Sequence, residues 1–193
     1  MWGLTHAAAW ILAAAATALH PATAGSRPPA ATCSPGATVN LVVAATTDVH
    51  GHIRGWDYYD GRADSVRGLA RAATVIDSLR RTAPGRLILL DAGDLLQGTP
   101  LAYVAARILP SRPNPVIAAM NVMHYDAAVI GNHEFNYGVP YLDSAIAQAA
   151  FPMLAANVTR AGRPAYAPFT VITRAGVRIG IVGATTPGSD LWD

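Results

Sequence analysis

Cysteine, charge and late histidines are all scarce in this sequence. Cys33 is the only cysteine, so no internal disulfide can form, and the fold must rest on its core and on any metal it binds. Charged residues make up 13% of the chain, 14 basic against 12 acidic for a net charge of +2, and they are spread without blocks. No surface for a nucleic-acid polymer is expected from that balance. A largely apolar run at 7–19 falls short of the roughly 20 residues that cross a bilayer as a helix, so no stable membrane association is expected either. No histidine follows His133. What is present, 52% hydrophobic residues over 193 positions, is enough for one globular domain with a real core.

The apolar run ends in Pro21 and the small residues Ala22, Thr23 and Ala24, which reads as a secretory signal cleaved after Ala24, although its start carries no Lys or Arg. The mature protein is therefore expected to be secreted or periplasmic. Residues 25–39 are rich in Pro, Ala and Ser, the composition of a flexible leader.

Residues 40–46 (NLVVAAT) form a β-branched apolar run that reads as a buried strand and breaks at Thr47, Asp48, Val49, His50, Gly51 and His52. Apolar positions spaced along 65–81, from Val66 to Leu79, predict a helix that Pro84 and Gly85 end. The pattern repeats. Residues 86–90 (RLILL) run into Asp91, Ala92, Gly93 and Asp94; helices are expected over 101–109 and 116–123; a third strand at 127–130 empties into Gly131, Asn132, His133 and Glu134. A helix over 141–150 and β-like runs at 153–156, 166–173 and 177–182 follow. Strands alternating with helices argue an α/β layered fold, with the later strands forming a second sheet.

Sites in open α/β sheets form beyond the carboxyl ends of strands, where Asp48, His50, Asp91, Asp94, Asn132 and His133 all fall. Carboxylate, imidazole and amide oxygen suit Mn²⁺, Mg²⁺, Fe²⁺ or Zn²⁺. An Asp has two oxygens and can bridge two ions about 3.5 to 4 Å apart, and Asp94, freed to turn by Gly93, is the natural bridge. Taken singly, Asp48 could cap a turn, Asp94 a helix, and Asn132 could sit in a turn after Gly131. Their joint spacing favours the metal site.

The set T-D-V-H at 47–50, D-A-G-D at 91–94 and G-N-H-E at 131–134 resembles the metallophosphoesterase (calcineurin-like) superfamily signature. The stretches G-N-H-E-F-N-Y-G at 131–138 and D-L-L-Q-G-T-P-L at 94–101 resemble its secreted 5′-nucleotidase family. W-D-Y-Y at 56–59 and N-P-V-I-A-A-M-N at 114–121 are similar to the bacterial 2′,3′-cyclic-nucleotide 2′-phosphodiesterases with 3′-nucleotidase activity. The resemblance implies a layered α/β/β/α sandwich, incomplete at the carboxyl end, over 40–193. It also implies two divalent metal ions and a nucleotide substrate.

Residue by residue, it implies that Asp48 and His50 hold the first metal, Asp94 bridges, Asn132 holds the second, and His133 stabilises the transition state or protonates the leaving alkoxide. Asn136 stands where 5′-nucleotidases proper have an aspartate that orients this histidine; it can accept the same hydrogen bond but brings no charge, which favours the cyclic-phosphodiesterase branch. Asp91 is expected to brace its loop, His52 to lie near the site without binding metal, and Glu134 to act as a partner of the ligands or as a helix N-terminal charge. Trp56, Tyr58 and Tyr59 could stack on a base or plug the core. The superfamily site needs further histidines, from a lone His and a G-H-x-H segment. The chain is therefore expected to be an amino-terminal fragment whose partner is the missing carboxyl-terminal domain of the same protein; the alternative is a short form that binds metal or nucleotide without turnover.

Overall fold

A computed structural model describes residues 38–189. The expected signal, the leader up to residue 37 with Cys33, and residues 190–193 lie outside them. Strand β1 (Val42–Thr46) pairs in parallel with β4 (Leu87–Asp91), which pairs with β5 (Ala127–Val129), which pairs with β6 (Met153–Leu154). Parallel neighbours need a crossover, and α1 (Leu69–Thr82), α3 (Pro115–Met123) and α4 (Val139–Gln148) lie on the three connections. The register aligns Thr46 with Asp91 and Asp91 with Ala128, so the loops after β1, β4 and β5 leave the sheet side by side.

α1 buries Leu69 and Ile76 and leans Ala72, Ala73 and Leu79 on the same core, one stripe at helical spacing. It packs against α3 and β1, and α3 packs against α4. The helix expected from residue 65 begins at Leu69 instead. Gly68 sits at φ 110°, and the Asp64 carboxylate takes the backbone N–H groups of Val66 and Arg67 in a turn that leaves Val66 85% exposed. The helix expected over 101–109 is α2 (Pro100–Tyr103), capped by Thr99, running into a single π-helical turn, Val104–Ile108. α3 is capped by Asn114, whose Oδ1 accepts from Val116 and Ile117, and closes on His124 in the left-handed region.

The later strands divide between two sheets rather than forming one of their own. β6 joins the parallel sheet, because α4 returns the chain to the same direction, whereas β9 (Phe169–Arg174) and β10 (Val177–Val182) form an antiparallel hairpin. Its turn residues Ala175 and Gly176 both have positive φ, as a two-residue hairpin requires. Arg174 fixes the hairpin to the parallel sheet by donating to the Leu87 carbonyl and pairing with Asp126. Two short ribbons, β2 (Trp56–Asp57) with β3 (Arg62–Ala63) and β7 (Thr159–Arg160) with β8 (Arg163–Pro164), decorate the loops. The core between sheet and helices is Leu89, Ile117, Met120, Ile130 and Leu142, all essentially without solvent contact. No helix among the described residues is long and apolar enough to cross a membrane.

Candidate metal centre

The pairing of β1 with β4 continues past the strands as a backbone ladder between their loops. Asp48 N–H donates to Gly93 O (3.1 Å), His50 N–H to Asp94 O (2.8 Å) and Gly51 N–H to Leu95 O (2.9 Å). Asp48, His50 and Asp94 all adopt positive φ, so both loops curl toward the same point. The loop after β5 closes on the second from the other side. Gly93 and Gly131 meet so tightly that a Cβ on Gly93 would lie 2.7 Å from Gly131 N.

This brings His50, Asp94 and His133 together, with one ligand atom of each inside a 4.8 Å group. The two imidazoles stand edge to face with ring centres 5.0 Å apart. His50 Nδ1 lies 2.8 Å from the Gln97 carbonyl, an acceptor only, so Nδ1 carries the proton and the Nε2 lone pair is left for a ligand. His133 Nδ1 is 2.7 Å from Asn136 Oδ1, which holds that ring the same way, and His133 N–H donates to Asp94 Oδ1 (3.1 Å). Two imidazole nitrogens and a carboxylate around one point fit a divalent cation.

The three motifs thus meet at the carboxyl edge of a parallel sheet, and the model of the calcineurin-like phosphoesterase family matches residues 41–180. The chain belongs to the calcineurin-like phosphoesterases. It is 40% identical over 170 residues, 81% of its length, to a 2′,3′-cyclic-nucleotide 2′-phosphodiesterase/3′-nucleotidase of Yersinia enterocolitica. It is 39% identical over 171 residues, 80% of its length, to the trifunctional nucleotide phosphoesterase protein YfkN of Bacillus subtilis. The chain spans 26% and 12% of the length of these two curated relatives. The crystal structure of calcineurin-like phosphoesterase YfkN from Bacillus subtilis superposes with a TM-score of 0.73 at 36% identity, covering 79% of this chain and 50% of that one.

Within this calcineurin-like site the remaining residues fall into place unevenly. Asp48 stands at the rim: its side chain is 59% exposed, accepts from Thr47 Oγ1 and lies 3.7 Å from His50 Nε2, outside the tight group of three. Asn132 is half-buried between Gly131 and His133, and its carbonyl accepts from Phe135 N–H. Asp91 is buried at the end of β4, where it accepts from Thr46 Oγ1 (2.6 Å) and Gly93 N–H (2.8 Å); burial pushes its carboxyl up to about 7. Since Thr46 gives its proton to Asp91, Tyr125 donates to Thr46 Oγ1, and burial raises that phenol to about 12. His52 stays out of the group, its Nδ1 buried with no hydrogen-bond partner among the described residues, and burial chiefly lowers its pKa. Trp56 lies in β2, and Tyr59 is exposed.

Two elements of the centre had little sequence signal. The Gln97 carbonyl that orients His50 had none. Glu134, the only glutamate in the chain, had its place after His133, but no helix begins there, so it is not a helix N-terminal charge. It is fully buried and takes backbone N–H groups from Asp94 (2.9 Å), Leu95 (2.5 Å), Leu96 (3.1 Å) and Gly131 (2.7 Å). Burial raises its pKa, and the four donors oppose that rise.

Proposed function

We propose that this chain carries the metal-holding loops of a hydrolase that uses two divalent ions to cleave nucleotide phosphoesters, of the cyclic 2′,3′-nucleotide phosphodiesterase/3′-nucleotidase or 5′-nucleotidase type. The observation that carries the reading is the convergence of His50, Asp94 and His133 at the sheet's carboxyl edge. The activities for which the relatives are named point the same way. Asp48 and His50 would hold one ion, Asp94 would be shared between the two, and Asn132 would offer its amide oxygen to the other. Such ions, when bound, acidify an attacking water and neutralise charge on the phosphoryl oxygens. His133, its Nδ1 fixed by Asn136, would turn Nε2 toward the leaving oxygen, and as an imidazolium carrying a proton on Nε2 as well it would stabilise or protonate the departing alkoxide. Since the chain covers only 26% and 12% of the length of these curated relatives, turnover and substrate choice belong to the whole protein, and the apolar run at 7–19 supports export of that protein.

The test is hydrolysis of a chromogenic phosphodiester and of 2′,3′-cyclic AMP by the whole protein with added Mn²⁺, beside Asp94→Ala. Metal-dependent turnover lost in the variant supports the hydrolase. Thermal stabilisation by Mn²⁺ or nucleotide without turnover supports a short binding form instead. Neither turnover nor stabilisation contradicts both readings.

A further inference from the structure

Glu134 is the most deeply buried charged side chain of the site, and no cation pairs with it among the described residues. Its four partners come from two different loops. Oε1 accepts from Leu95 and Leu96, and Oε2 from Asp94 and Gly131. All four in-plane lone-pair positions are taken, so the geometry calls for the acceptor-only carboxylate. Asp94, the first residue it grips, is a non-glycine residue at φ 61°, a conformation that persists only where its surroundings impose it. Asp94 Oδ1 in turn accepts from His133 N–H, the residue preceding Glu134. The two loops are thereby closed into one ring.

We infer that Glu134 is a positioning residue for the metal centre: its carboxylate locks the loop carrying Asp94 to the loop carrying His133, so that both side chains are aimed before any ion arrives. The inference rests on the metal-centre reading above. An amide cannot replace the carboxylate, because its NH₂ would face two backbone N–H donors. An aspartate is one methylene too short to span both loops.

Titration of the full chain with Co²⁺, read by its visible ligand-field bands, compares wild type with Glu134→Gln and Glu134→Asp. The expected result is binding by wild type, and at least about tenfold weaker binding with altered band shape in both variants. Since the variants could fail to fold, amide hydrogen exchange is measured on metal-free wild type. The amides of Asp94, Leu95, Leu96 and Gly131 should be as protected as that of Leu89 in β4. Variants that bind Co²⁺ within twofold of wild type with the same bands would overturn the inference, as would loop-like exchange at those four amides. A wild-type chain that shows no Co²⁺ bands while the four amides are protected would overturn the metal-centre reading, and Glu134 would then brace the loops without positioning ligands.

Discussion

On the β4–β5 side of the site, Asp94 and His133 rest on a buried carboxylate with four donors, on Asp91 beneath the loop, and on two glycines in backbone contact. On the β1 side, Asp48 stands largely in solvent in the loop after β1, the edge strand of the parallel sheet, whose Val43 is 62% exposed. A groove of about 670 Å³ between β1 and α1 reaches the centre there through Asp48 alone, and none of His50, Asp94 or His133 lines it. One flank is organised by the chain itself. On the other, the Gln97 carbonyl orients His50, but Asp48 is tied to the centre only through the backbone ladder, so its carboxylate gains its geometry from whatever binds.

The sharpest way to break that contrast is to disturb the tight flank. A methyl group on Gly131 would strike Asp94 and Glu134, so Gly131→Ala should cost about 2–4 kcal/mol and lower Tm by roughly 5–15 °C, read by calorimetry. An unchanged Tm would mean that the two loops are not rigidly joined.

The next effect is a pH dependence. Burial raises Asp91 from 3.8 to about 7, so the protonated form is favoured in the native state. Its stabilising contribution is full below about pH 4 and is lost as pH rises toward 7, at up to ~1.4 kcal/mol per pH unit. Asp91→Asn removes this titration, so its Tm relative to wild type should climb between pH 5 and pH 8. A constant difference across that range would show that Asp91 is already ionised at pH 5.

On the loose flank, Asp48→Ala should leave stability within about 0.5 kcal/mol of wild type, since the side chain is exposed, yet weaken Mn²⁺ binding by roughly tenfold. The smallest effect belongs to Val43→Thr, expected to stay within about 0.5 kcal/mol in a denaturant melt. A large loss at Val43 would show that the β1 side is packed after all.

The same contrast explains what could be read from the sequence. Apolar runs that stop at polar motifs located β1, β4 and β5 and placed Asp48, Asp94 and His133 at strand ends, because a buried parallel strand and its exit loop each leave a composition signal. Helix and strand ends were less legible: Gly68 and the Asp64 turn delay α1 by four residues, a local hydrogen-bond choice that periodicity does not register. The Gln97 carbonyl and the four amides on Glu134 were invisible for a different reason. Every residue has the same backbone groups, so only tertiary structure decides which of them faces a side chain.

The central claim is that Asp94, and not the neighbouring Asp91, holds metal at this centre. Calorimetric titration of Mn²⁺ into wild type, Asp94→Asn and Asp91→Asn at one pH tests it most directly. Wild type should bind, Asp94→Asn should lose roughly a hundredfold in affinity, and Asp91→Asn should stay within about threefold. Wild-type affinity in Asp94→Asn, or an equal loss in Asp91→Asn, would contradict the account.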